Sequence, residues 1–187
     1  MVQLGDLLKE LGDDDTARLL TAFSCNRNRD VENFLTHPSK AIRFEKTDNA
    51  RTYLILDDET GHILGYFSIS FKELVLEDLQ ISKSKVRRLD GISKNAERIR
   101  AFLIGQLGKN TSIAQNPITL EIILEEIYAV ISEARNLIGG RIIILECEDS
   151  PQLIQLYERN GFSLIQTADE AQAELRTMYI HVAECVD

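Results

Sequence analysis

Apolar residues first fall at helical spacing, at Leu4, Leu7, Leu8 and Leu11, and then at Ala17, Leu19, Leu20 and Phe23. The run Asp13-Asp14-Asp15 before Thr16 reads as an acidic start to a second short helix. A turn over 25–30 follows, and Asp30 is placed to cap a helix through Val31, Phe34 and Leu35. The period then changes to two. Residues 51–56 and 62–70 alternate around the turn Asp57-Asp58-Glu59-Thr60-Gly61, which predicts a hairpin. Residues 71–98 show no regular period. Residues 100–109 are apolar at their centre, as in a strand buried on both faces. A long helix is predicted over 117–137, with Pro117 in its first turn and a stripe from Leu120 through Ile127 and Ile131 to Leu137 and Ile138. Gly139-Gly140 stops it, and 141–147 is a second buried strand, so this stretch predicts a parallel β-α-β crossover. Asp149 or Ser150 caps a further helix that opens with Pro151 and ends at Asn160-Gly161. A strand begins at Phe162, a polar connection spans 168–176, and a last strand spans 178–182.

Where the strand over 100–109 passes through the loop 110–116 into the long helix, several backbone N–H groups and the positive end of a helix dipole point at one place. That combination suits a phosphate. Gly105 and Gly108 lie inside the strand, where a glycine marks either close packing against another element or the approach of a ligand.

A chain of 187 residues, 44% hydrophobic and 27% charged, suits one soluble domain over 1–187. The 21 basic and 30 acidic residues leave a net charge of −9, which counts against a surface devoted to nucleic acid. Within this acidic chain Lys83, Lys85, Arg87, Arg88, Lys94, Arg98 and Arg100 form a local basic surplus, read either as a solvated face or as a patch toward an anionic ligand. No apolar run is long enough for a bilayer, and the first residues lack a signal-peptide pattern, so a cytoplasmic location is expected. Cys25, Cys147 and Cys185 have no metal-like spacing; no metal site is expected, and reduced thiols are the simplest reading.

The segment Tyr157-Glu158-Arg159-Asn160-Gly161-Phe162, with the residues from Asp149 before it, resembles the Asn-x-x-Ala-x-x-x-Tyr-x-x-x-Gly-Phe signature of the GCN5-related N-acetyltransferases (GNAT). The step Leu64-Gly65-Tyr66-Phe67 and the region around Phe23-Ser24-Cys25 and Val31-Glu32-Asn33-Phe34-Leu35 resemble the toxin-like branch of that family. The resemblance covers nearly the whole chain. It implies an α/β (α+β) fold with a mixed central sheet of about six to seven strands, splayed at the cofactor strand and flanked by helices. It also implies acetyl-CoA as cosubstrate and an amine as acceptor. By the same resemblance, Gln106, Leu107, Gly108 and Lys109 lie on the strand that pairs with the pantetheine arm, with a Leu107 amide at the oxyanion. Ile113, Ala114, Gln115, Asn116, Ile118 and Thr119 lie in the pyrophosphate loop, Asp149 belongs with the cofactor contacts, and Tyr157 takes the place of the general acid. The family loop carries glycines, whereas residues 110–119 contain none, so Ala114 or Asn116 must stand in for them.

The chemistry asks for these parts. A lysine-type amine has a reference pKa of about 10.4 and must lose a proton to attack. Glu146 is the first candidate base and Glu148 the second; the competing reading of Glu146 is a strand-end carboxylate paired with a cation. A tyrosine hydroxyl can serve the departing thiolate, and Tyr157 is otherwise a packed aromatic with a polar tip. The acceptor is a small amine, a protein amine or an aminoacyl-tRNA, the last disfavoured by the acidic charge. A non-catalytic acyl-CoA-binding or partner-binding module is the alternative function, and a homodimer is a further expectation of the fold.

Overall fold

The computed structural model describes residues 1–76, 81–165 and 175–185. A short strand β1 (Val2–Gln3) leads into α1 (Leu4–Leu20), α2 (Arg29–Thr36) and α3 (Ala41–Lys46). The hairpin is β2 (Arg51–Leu56) and β3 (Ile63–Val75), and α4 (Lys83–Asp90) precedes β4 (Arg98–Lys109). Then come α5 (Leu120–Ile138), β5 (Ile142–Glu148), α6 (Pro151–Arg159), β6 (Ser163–Leu164) and β7 (Leu175–His181), with a 3-10 turn at Val182–Glu184. The polar connection predicted over 168–176 lies outside the described residues up to 174, while Arg176 belongs to β7.

The strands form one mixed sheet in the order β1-β2-β3-β4-β5-β7-β6. The β4–β5 pair is parallel, at Phe102↔Ile143, Leu103↔Ile144 and Ile104↔Leu145. The pairs β1–β2, β2–β3, β5–β7 and β6–β7 are antiparallel. The β-α-β crossover is therefore as the pattern predicts, and the α/β architecture as the resemblance implies. The chain divides into two compact units, Met1–Ser70 with Gly105–Ile127, and Phe71–Ile104 with Tyr128–Asp187.

In the first unit, the N-terminal helical segment breaks at Gly12, whose φ of 76° and ψ of 175° no helix accommodates. The helix predicted to start at Asp30 is instead capped by Asn28, whose side chain accepts from the Asp30 and Val31 amides at 2.9 and 3.2 Å. Two elements escaped the hydrophobic pattern, β1 and α3, because two and six residues are too few to show a period. Both are tied down by the buried Glu45. Its carboxylate accepts from the Thr52 amide at 2.8 Å and from Gln3 Nε2 at 3.2 Å, and Arg51 lies 3.4 Å away. Burial raises this carboxyl above its usual range, against the pull of the Thr52 amide and Arg51. Leu4, Leu20, Phe23, Leu35, Ile42, Leu54, Ile63 and Tyr66 form the core around them.

The start of α5 lies at Leu120 rather than Pro117. The Ile118 amide is bound by the Asn116 side chain at 3.0 Å, and Thr119 caps the helix, accepting from Ile122 N and Ile123 N. Ile123 and Ile127 are buried, each worth roughly 1.5–3 kcal/mol relative to exposure.

In the second unit, Ile142, Ile143, Ile144 and Leu145 are buried as an unbroken run, the pattern of an interior parallel strand. Ile142 and Ile144 belong with Val86 and Leu89 of α4, Ile99, Ala101, Ile165 and Tyr179 in its core. The α5 stripe does not reach the helix end as predicted. Leu137 is 85% exposed and Ile138 64%. His181 is buried, and its Nε2 meets no hydrogen-bond partner among the described residues. Burial lowers its pKa below the usual 6.5; Arg88 and Arg141 add to that and Glu184 opposes it. The folded form holds the ring neutral. Stability is thus complete above about pH 6.5 and falls as the pH drops toward the lowered folded value, because the unfolded chain takes up the proton first. Thermal melts at neutral and mildly acidic pH are expected to show a smaller acid loss in His181→Gln than in wild type. Equal losses would place the sensitivity elsewhere.

Candidate functional site

In the first unit the site is the end of β4, the loop after it and the start of α5. Gly108 is a packing glycine. A Cβ there would run into Val31 and come within 3.3 Å of Phe23 and 3.4 Å of Tyr66. The Tyr66 hydroxyl in turn donates to the Val31 carbonyl at 2.6 Å, fixing the neighbour that excludes a side chain. Gly105 is exposed, with only the Ser68 carbonyl at 3.8 Å, so close packing does not demand it. Gln106 and Leu107 are half-buried.

The loop is held by asparagines. Asn110 is buried, and its side chain accepts from Ser24 N, Ser112 N and Ser112 Oγ and donates to the Ala22 and Ile63 carbonyls, five bonds between 2.7 and 3.3 Å. Asn116 Nδ2 donates to the Leu64 and Asn110 carbonyls at 2.7 and 2.9 Å. Lys109 Nζ donates to the Asn116 carbonyl at 2.8 Å, so its charge is drawn onto the loop itself. Among the described residues Asp48 alone of the non-glycines has a positive φ. Asn116 therefore does not replace a loop glycine by a left-handed conformation; it works through its side chain.

The predicted loop contacts fall into two groups. Asn116 and Ile118 are buried and hold the loop from within. Ala114, Gln115 and Thr119 are exposed, and Ile113 is partly so. The Ala114 and Gln115 amides donate to no described residue. Pro117 has no N–H to offer. Glu121, which pattern reasoning passed over, stands in the first turn of α5. Its carboxyl is held below its usual range by its own amide and by the Thr119 hydroxyl. An acid there suits the helix dipole and sets a negative charge beside any bound anion.

In the second unit, β5 and α6 carry the remaining candidates. Glu146 is bound by Lys72 of β3 at 2.6 Å, the pairing its competing reading anticipated. Glu148 is exposed at the strand end. Ser150 occupies the N-cap of α6 but makes no capping bond; its hydroxyl donates to Gln152 at 2.9 Å. Asp149 is not a cap either: it pairs with Arg176 at 3.8 Å. Arg176 is buried on β7, opposite Cys147 of β5.

Tyr157 is half-buried in the last turns of α6, edge-on to Phe162 with 5.9 Å between ring centroids. The positive φ of Gly161, 85°, turns the chain so that the Phe162 amide returns to the Tyr157 carbonyl at 3.1 Å. Burial, and then the nearby Cys147 thiol, push the Tyr157 phenol up to about 12. It is therefore a protonated donor at any working pH. Burial also raises Cys147, against the lowering influence of Arg176. Lys72 and Arg176 were not legible because nothing local in sequence ties a residue of β3 or β7 to β5.

The basic surplus is partly spent. Arg88 pairs with Glu184 at 2.7 Å, Arg98 with Glu73 at 3.0 Å, and Lys85 lies 5.2 Å from the Tyr179 ring centroid. Among the described residues no group of three or more His, Cys, Asp or Glu is arranged to hold a metal, and no helix is long and apolar enough to cross a membrane.

These elements define the GNAT fold, that of the GCN5-related N-acetyltransferases. The solved structures that share it include toxins. A Tyr-to-Phe mutant of KacT matches with a TM-score of 0.68 at 18% identity, over 89% of each chain. AtaT complexed with acetyl-methionyl-tRNAfMet matches at 0.67 and 17% identity, over 88% of each chain. AtaTR bound with AcCoA matches at 0.65 and 16% identity, over 94% of this chain and 92% of that one. No family model and no curated protein sequence matches the chain.

Proposed function

We propose that the chain is an N-acetyltransferase, moving the acetyl group of acetyl-CoA to a primary amine by direct attack on the thioester. The observation that carries this reading is the fold it shares, over 94% of its length, with a structure bound with AcCoA. In this reading the first unit supplies cofactor contacts. The backbone of Gln106, Leu107 and Gly108 lies along the pantetheine arm, and the Leu107 amide donates to the oxyanion. Ile113, the Ala114 and Gln115 amides and Thr119 meet the pyrophosphate, with Lys109, Asn116 and Ile118 keeping the loop in shape. Asp149 stands with the cofactor contacts of the second unit.

The second unit supplies proton handling. As the amine nitrogen bonds to the acetyl carbon and the carbon–sulfur bond breaks, the amine proton leaves through Glu146, directly or by way of water. Lys72 Nζ lies 2.6 Å from that carboxylate and holds it in place. The departing thiolate accepts a hydrogen bond from Tyr157. A phenol near 12 holds its own proton, so the sulfur takes its final proton from solvent. The acceptor is a primary amine. AtaT is seen with an acetylated methionyl-tRNA, but the net charge of −9 disfavours an aminoacyl-tRNA here.

A second reading, a non-catalytic acyl-CoA-binding or partner-binding module, is favoured by the glycine-free loop, the proline within it and the Glu121 charge beside it. Titration of acetyl-CoA in a calorimeter is expected to give one site with a micromolar dissociation constant. No heat at high micromolar ligand would overturn both the enzyme and the acyl-CoA module. If binding is found, labelled acetyl-CoA and a panel of amines separate the two: transfer to any amine supports the enzyme, and binding without transfer supports the module.

A further inference from the structure

A groove opens in the second unit over the end of α5. It is lined by Phe71, Arg100, Ala101, Phe102, Ile138, Gly139 and Gly140 and encloses about 490 Å³, the size of a small-molecule pocket. Its floor is aromatic: the Phe71 and Phe102 rings lie 5.2 Å apart and are tilted by 37°. Phe102 is buried, while Phe71 is 63% exposed and Ile138 64%, so apolar surface is left to water on both sides. Gly140 keeps the floor open. With its φ at 131°, a Cβ there would strike the Phe102 ring.

Alternation along β4 sets Arg98, Arg100 and Phe102 on one face of the strand. Arg98 is paired with Glu73. Arg100 makes no ion pair and no hydrogen bond among the described residues, in a chain with 30 acidic side chains. An unmatched guanidinium at the lip of an apolar groove complements an anion carried on an apolar body. The neighbouring Gly139 ends a helix, and the negative end of that dipole disfavours a doubly charged phosphate. A single negative charge of planar shape suits one guanidinium.

We propose that this groove binds a small apolar carboxylate, with its hydrocarbon or aryl body against Phe71, Phe102 and Ile138 and its carboxylate on Arg100. The site is independent of the acetyl-transfer reading. Fluorescence titration with dansylated undecanoate, followed by displacement with decanoate or decanol, tests it. Saturable one-site binding is expected in the wild type, with decanoate displacing the probe far better than decanol. Arg100→Gln should weaken probe binding about tenfold, the weight of a charged hydrogen-bonded pair, and Ile138→Asp should abolish it. Both side chains are exposed, so unchanged melting temperatures would show that the variants are folded. No saturable binding to the wild type, equal affinity in Arg100→Gln, or equal displacement by decanol would each overturn the proposal.

Discussion

Tyr157→Phe is expected to lower acetyl transfer about a hundredfold, the low end of what one hydrogen-bond donor aimed at developing charge contributes, while leaving the acetyl-CoA dissociation constant unchanged. The substitution removes one oxygen and little else. The ring remains edge-on to Phe162, and the Gly161 turn does not depend on the hydroxyl. What is lost is a donor in a partly dry setting, where burial and the Cys147 thiol hold the phenol near 12. Such a donor stabilises sulfur as it gains charge and has little to offer the uncharged thioester. The loss should therefore fall on kcat rather than on binding. For the same reason the pH–rate profile should show no limb from Tyr157 below about pH 10. Steady-state kinetics beside calorimetry would decide it: an unchanged kcat refutes the assignment, and weakened binding makes Tyr157 a cofactor contact instead.

Asn110→Ala is expected to cost about 3 kcal/mol of stability, more than any other single truncation near the loop. Its side chain makes five hydrogen bonds, to Ser24 and Ser112 on one side and to the Ala22 and Ile63 carbonyls on the other. Truncation leaves the Ser24 amide and both carbonyls without that partner, in a place where the asparagine is 2% exposed. Asn110→Asp would keep the acceptor bonds to Ser24 and Ser112 but set a carboxylate against two carbonyls, and should be no milder. Chemical denaturation would read both. A loss under 1 kcal/mol for the alanine variant would mean that water takes the vacated positions.

The parts of the fold that were legible in sequence are those with a long period. The β2–β3 hairpin, the β-α-β crossover and the amphipathic α5 each repeat often enough to declare themselves. The sequence was misleading at ends and at distances. Leu137 and Ile138 continue the α5 period perfectly well, yet they stay exposed. Asn28 rather than Asp30 caps α2, because the cap must precede the first helical residue and either side chain type would serve. Among the site candidates, Tyr157 and Phe162 were legible together because a helix end and a glycine turn keep them near in sequence. Lys72 is 74 residues from Glu146, and only the order of the sheet, with β3 and β5 on either side of β4, brings them into contact. Asn116 was read as a backbone substitute for glycine; residue identity alone does not reveal that its amide group would be spent on three bonds to Leu64, Asn110 and Ile118.

The asparagine-held loop has an entropic consequence. Glycine-rich phosphate loops are supple before they are filled, and a ligand must order them, at about 1–2 kcal/mol per residue fixed. Here the backbone from Asn110 to Thr119 is fastened on folding by side chains that reach into the first unit's interior. In the proposed reading, an anion that meets the exposed Ala114 and Gln115 finds a loop already fastened. The loop gives up adaptability in shape and gains a smaller ordering cost at the moment of binding.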